Sequence, residues 1–150
     1  MSIDRNLKIL LVEDSGAMRK MERSILGKPG FKNVTEAGDG TEAVSVLERE
    51  SNIGLVISDW NMPKMSGLEL LKWIRSRQEI ASLAFIMATA RGEQSETLAA
   101  REAGVSGFGP KPFTADDLLK QIEAVFSEGL PMMTQRPCGN PKYWLMAGST

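Results

Sequence analysis

The chain has 150 residues, 42% of them hydrophobic and 25% charged, with a formal net charge of -1. That suits one ordinary globular domain, and it excludes a disordered chain and nucleic-acid or membrane binding driven by net charge alone. A single cysteine, Cys138, excludes an intramolecular disulfide framework, and the lack of histidine excludes Ser-His-Asp or Cys-His catalysis and any His-ligated metal. Site chemistry must therefore rest on carboxylates, hydroxyls and lysine. No signal-peptide pattern opens the sequence and no apolar run approaches about 18 residues, so a soluble cytoplasmic protein is expected.

In chain order, short apolar runs alternate with helical patterns. LKILLV (7–12) reads as the first strand, followed by a helix marked by Met18, Met21, Ile25 and Leu26 and closed near Gly30. NVTEA (33–37) is the second strand, and Ala43, Val44 and Leu47 mark the helix after it. GLVIS (54–58) precedes a third helix carrying Leu68, Leu71 and Ile74. LAFIMA (83–88) leads to a fourth helix over roughly 93–103, closed by Gly104. Leu98 is the only large apolar residue of that helix, so the rest of its inward face must be alanine and its anchoring loose. VSGFG (105–109) is a weaker fifth strand. The last helix carries Leu118, Ile122, Val125 and Phe126 on one stripe, with Thr114 as N-cap, Asp117 completing a looser capping box, and Gly129 at its end.

Five such repeats with nearly continuous apolar strands predict a flavodoxin-like, doubly wound α/β fold: a five-stranded parallel sheet with helices on both faces. All 19 acidic residues precede Gly129, whereas residues 129–150 hold three prolines, three glycines and no acid. A boundary is placed there, giving a domain over 1–128 and a loosely docked or disordered tail over 129–150. YWLM (143–146) makes that tail too apolar for an inert linker.

Polar residues collect where the strands end. Strand one is followed by Glu13-Asp14, strand three by Asp59, strand four by Thr89 and strand five shortly by Lys111. In a parallel sheet these ends share the carboxyl edge, where open α/β proteins bind ligands at the point of strand-order reversal. With strand order 2-1-3-4-5, Glu13, Asp14 and Asp59 converge at that point, and the second strand contributes no such group. Three carboxylates in one pocket repel, and a hard dication such as Mg²⁺ relieves the repulsion. Lys111 adds a mobile positive charge and Thr89 a short donor. A carboxylate nucleophile with metal, lysine and hydroxyl is the equipment of phosphoryl transfer onto an aspartate. Taken singly, each residue is as well explained as a cap, turn or surface group; the conjunction at successive strand ends is what carries the reading.

The stretches LVED (11–14), SDWNMPKMSGLELLKWIR (58–75), MATA (87–90) and EAGVSGFGPKPF (102–113) resemble the receiver domains of two-component response regulators, in particular the stand-alone chemotaxis receivers. The resemblance covers about residues 5–128. It implies that Asp59 accepts the phosphoryl group. Asp14, Asp59 and the backbone carbonyl of Asn61 would hold Mg²⁺, with Glu13 acting through water. Thr89 would bond a phosphoryl oxygen, Lys111 would serve as its counter-charge, and Phe108 would be an aromatic switch coupled to Thr89. The Lys111-Pro112 bond would be cis. The donor would be the phosphohistidine of a sensor histidine kinase, necessarily another protein because this chain has no histidine. The output would be a downstream protein contacted directly through helix four, strand five and helix five, by a monomer that binds neither nucleic acid nor membrane and is not an enzyme beyond its own phosphorylation and dephosphorylation.

Departures from the family pattern bear on the output. Phe108 replaces the usual tyrosine and brings no phenolic hydroxyl, and Gly109-Pro110 replaces an aliphatic pair, tolerable on an edge strand. Arg91, two residues past Thr89, would sit at the pocket mouth and modulate the phosphoryl lifetime. Asn61 also stands where acid-assisted phosphatases or phosphotransferases carry a second acid. That enzyme reading is therefore weaker than a protein-binding switch or a phosphate sink draining a kinase. A flavodoxin-type cofactor site would want a hydroxyl- and glycine-rich loop where VEDSGAMRK supplies carboxylates.

Overall fold

Five successive strand–helix units form in the computed structural model, which describes residues 4–89, 94–110 and 114–128. The strands are β1 (Ile9–Val12), β2 (Val34–Ala37), β3 (Leu55–Asp59), β4 (Ala84–Thr89) and β5 (Gly107–Pro110). The helices are α1 (Gly16–Gly27), α2 (Gly40–Arg49), α3 (Gly67–Ser76), α4 (Gln94–Ala103) and α5 (Ala115–Glu128), with a short 3₁₀ turn at Gln78–Ile80. The sheet is wholly parallel in the order β2-β1-β3-β4-β5, as expected.

Alternation along the strands divides the core in two. Leu10, Val12, Val56, Phe85 and Met87 point to the face covered by α2, α3 and α4, where they meet Val46, Leu70, Leu71, Ile74 and Ala100. Ile9, Leu11, Leu55, Ile57 and Ile86 point to the other face and meet Leu26 of α1 with Leu118 and Ile122 of α5. A strand buried on both faces must be apolar at every position, and that is why the strand runs stood out in the sequence.

Local chemistry fixes the helix ends. Ser15 caps α1 by accepting from the Met18 amide, and Asp39 caps α2 by accepting from Glu42. Ser66 and Glu69 make a reciprocal capping box on α3. The box expected at Thr114 is present, with the Asp117 amide donating to the Thr114 hydroxyl at 3.0 Å and the Thr114 amide to the Asp117 carboxylate at 3.1 Å. Gly104 takes a left-handed φ of 94° just after α4, where it lets Val105 N–H reach back to Ala100. Gly129 and the tail over 129–150 lie outside the described residues.

Two expectations need correction. Leu98 does not belong to the inward face of α4, because it is 52% exposed while Ala100 is fully buried. Two residues turn the helix by about 200°, so seating Ala100 against the core turns Leu98 to solvent. The fifth strand begins at Gly107 rather than residue 105, because Val105 is engaged in the turn that ends α4. It extends to Pro110, which an edge strand accommodates.

Arg75 ties the far end of α3 to two loops. Its guanidinium donates to the Gly104 carbonyl at 2.9 and 2.7 Å, to Leu83 at 2.5 Å and to Ala81 at 3.2 Å. Burial drags its pKa down to about 10, so it stays charged at neutral pH. A neutral side chain there would strand several carbonyls that leave the regular ladders. Arg75→Ala is expected to lower unfolding free energy by about 2–4 kcal/mol in urea denaturation, and a loss below about 1 kcal/mol would show those carbonyls to be solvated instead.

Candidate functional site

Strand register positions the site. Val12 pairs with Ser58, so Glu13 leaves β1 at the level where Asp59 ends β3. Asp59 pairs with Ala88, placing Thr89 one residue beyond it at the end of β4. Thr89 pairs in turn with Pro110, the residue before Lys111. The strand ends thus step along one edge of the sheet beside the β1/β3 switch point.

Glu13, Asp14 and Asp59 converge there. One carboxylate oxygen from each lies within 4.8 Å of the others. Glu13 is buried, Asp59 partly buried and Asp14 exposed, so the cluster opens to solvent on the Asp14 side. The Ser15 amide donates to Glu13 Oε2 at 3.2 Å, and the Trp60 amide donates to Asp59 Oδ1 at 2.9 Å, which orients both carboxylates. The donors are all hard oxygens. Mg²⁺ is commonly held by one or two carboxylates and keeps several waters, and a cluster this compact with an open side suits that mode. The residues fit a small hard dication.

The loop after β3 is held by close backbone approaches. A Cβ at Gly67 would stand 2.3 Å from the Asp59 carbonyl oxygen, so only glycine admits this contact. The Gly67 amide meanwhile donates to the Trp60 carbonyl at 2.8 Å, folding the loop back onto the strand end. Within the loop Lys64 takes a φ of 69°, an uncommon conformation for a residue with a side chain. Its ammonium lies 3.8 Å from Asp39 at the N-terminus of α2. The Thr41 hydroxyl, then the Glu42 amide, hold the Asp39 carboxyl below the usual aspartate range. At Gly40 a Cβ would stand 2.6 Å from that of Met65, so the loop also rests on α2.

Asn61 is exposed at the start of this loop. Phe108 lies in β5 opposite Met87 and packs, partly buried, against the core on the α4 side of the sheet. Trp60 and Met65 join the same packing. Lys111, the Lys111-Pro112 bond and Arg91 lie outside the described residues.

The sequence reading missed a supporting group. Arg19 of α1 donates through Nη1 to the Glu13 carbonyl at 2.7 Å and through Nε to Glu36 of β2 at 3.0 Å. Arg23 donates to the other Glu36 oxygen at 2.5 Å, and this contact foremost holds the Glu36 carboxyl below its usual range. The second strand adds no group to the cluster itself, but its Glu36 braces Arg19. Nothing in the local sequence marks Arg19, because a helical arginine reads as a solvated charge.

Comparison with known proteins agrees with this architecture. Residues 9–123 match the family model described as the response regulator receiver domain. Chemotaxis protein CheY-3 of Vibrio cholerae is 39% identical over 124 residues, 83% of this chain and 95% of that protein. Chemotaxis protein CheY of Pseudomonas aeruginosa is 39% identical over 120 residues, 80% of this chain and 96% of that one. Among solved structures, chemotaxis response regulator CheY4 of Vibrio cholerae superposes with a TM-score of 0.72 at 31% identity, covering 79% of this chain and 98% of its own. A response regulator receiver protein from Pseudomonas putida gives 0.72 at 27% identity, covering 81% and 98%. The chain belongs to the response regulator receiver family and resembles CheY-type receivers along nearly their whole length.

Proposed function

We propose that this receiver accepts a phosphoryl group on Asp59 from the phosphohistidine of a sensor histidine kinase and signals by direct contact with a protein target. The observation that carries the reading is the convergence of Glu13, Asp14 and Asp59 within 4.8 Å at the switch point of the sheet. Asp14, Asp59 and the Asn61 carbonyl would hold Mg²⁺, with Glu13 acting through water. When bound, the ion neutralises charge between the carboxylates and the incoming phosphoryl oxygens.

The Trp60 amide fixes the Asp59 carboxylate for attack. A bond forms from Asp59 to phosphorus while the phosphorus–nitrogen bond breaks, and the electron pair leaves on the donor's imidazole, which takes a proton from solvent. Thr89 donates to a phosphoryl oxygen and Lys111 pairs with the new negative charge. Arg91, two residues past Thr89 in the sequence, modulates the lifetime of the phosphoryl group. The chain then acts as a switch rather than as an enzyme on an external substrate.

Output follows from a shift between two arrangements of the face formed by α4, β5 and α5. Phe108 is the aromatic switch that reports the state of Thr89 on that face, a role supported by its partly buried packing on the α4 side of the sheet. The relatives are named as chemotaxis proteins, which supports a role in chemotaxis-type signalling in the cytoplasm. No helix among the described residues is long and apolar enough to cross a membrane. Contact with the target through a protein face requires neither nucleic acid nor lipid.

Incubation with labelled acetyl phosphate or a labelled histidine kinase tests the chemistry. Wild type is expected to take label only with Mg²⁺, and Asp59→Asn to fall to background. Label that persists in Asp59→Asn, or appears equally without metal, would refute the assignment.

Gly67→Ala probes the loop that presents Asp59. Its Cβ must push the Asp59 carbonyl away, so a stability loss of about 1–3 kcal/mol and slower labelling are expected together. Unchanged labelling would mean that the loop relaxes without moving the acceptor.

A further inference from the structure

Arg19 joins three elements that end around the acidic cluster. It sits on α1, reaches the Glu13 carbonyl at the end of β1, and is braced by Glu36 on β2. Glu36 is itself fixed, since it lies opposite Leu11 in the β1–β2 ladder and also receives Arg23. At the same turn, the Glu13 amide donates to the Ala37 carbonyl at 3.1 Å. The backbone of Glu13 is thereby held on both its N–H and its C=O sides, and the following residue is Asp14.

We infer that Arg19 is a positioning residue for the acceptor pocket, fixing the Glu13-Asp14 turn through the Glu13 carbonyl so that the two carboxylates stay in register with Asp59. The inference rests on the proposed Mg²⁺-dependent function of that pocket. An arginine paired with a carboxylate at the surface could otherwise be a simple ion pair of little consequence. Two features separate the cases. Arg23 shares the Glu36 carboxylate with Arg19, yet of the two it is Arg19 that also donates to the Glu13 carbonyl. The sign of the effect also differs, because Arg19 is a positive charge near a cation site. By charge alone, its removal tightens Mg²⁺ binding; by loss of positioning, its removal weakens it.

Lysine makes the separation sharper. Arg19→Lys keeps the charge but has no planar fork able to serve Glu36 and the Glu13 carbonyl at once. Positioning therefore predicts binding at least as weak as in Arg19→Ala, whereas charge alone predicts wild-type binding.

The test is Mg²⁺ titration of the full chain followed by tryptophan fluorescence, with Trp60 directly after Asp59. Metal-free thermal melts establish that each variant is folded. Arg19→Ala and Arg19→Lys are expected to bind Mg²⁺ about three- to tenfold more weakly, at or below the low end of outer-shell effects on metal sites. Arg23→Ala is expected to stay within about twofold of wild type. Binding in Arg19→Ala equal to or tighter than wild type, or an equal loss in Arg23→Ala, would overturn the inference. Should Arg19→Ala fail to fold, Arg19→Lys against Arg23→Ala carries the same comparison. A wild type with no saturable response would bring down the metal-dependent reading and this inference together, while a saturable wild type with unaffected Arg19 variants overturns the inference alone.

Discussion

Mutual repulsion among three carboxylates is the constraint around which the rest of the molecule is arranged. Glu13, Asp14 and Asp59 would separate in an unstructured chain, but here they are brought within 4.8 Å. The parallel sheet achieves this by register, since β1 and β3 are neighbours that end at the same level. Backbone amides of Ser15 and Trp60 then donate to the carboxylates and offset part of the charge. Burial of Glu13 against exposure of Asp14 leaves the cluster open to solvent on one side.

The face covered by α2, α3 and α4 joins a fixed strand base to a lightly held helix. On the α2, α3 and α4 side, Arg75 clamps the turns that precede β4 and β5 by donating to their carbonyls. That fixes the base of the strands. Above it, α4 is seated by Ala100 and presents Leu98 outward, so little apolar surface on that helix resists a change in its position. A rigid strand end beneath a lightly held helix is the combination that a local charge change can work on.

Most of this was legible because it is periodic or local. Fully buried strands are apolar at every position, so β1, β3 and β4 announced themselves and their terminal carboxylates stood out. Thr114 and Asp117 were readable as a cap because capping involves residues three apart in sequence. What escaped notice depends on contacts between distant segments. Arg19 and Glu36 are 17 residues apart, and Gly67 matters only because the Asp59 carbonyl passes 2.3 Å from where its Cβ would be. Leu98 was misplaced for a related reason: with alanines as the only alternatives, composition could not fix the rotational phase of α4, and seating Ala100 fixed it instead.

Reductive trapping of the phosphorylated residue tests the central claim most directly. An acyl phosphate is reduced by borohydride to the alcohol, so phosphorylation on Asp59 converts that residue to homoserine. Phosphorylation in the presence of Mg²⁺, followed by reduction and peptide mass spectrometry, should place homoserine at position 59 and nowhere else. Homoserine at position 14 in place of 59, or a phosphoryl group that survives borohydride on a serine or threonine, would contradict the account.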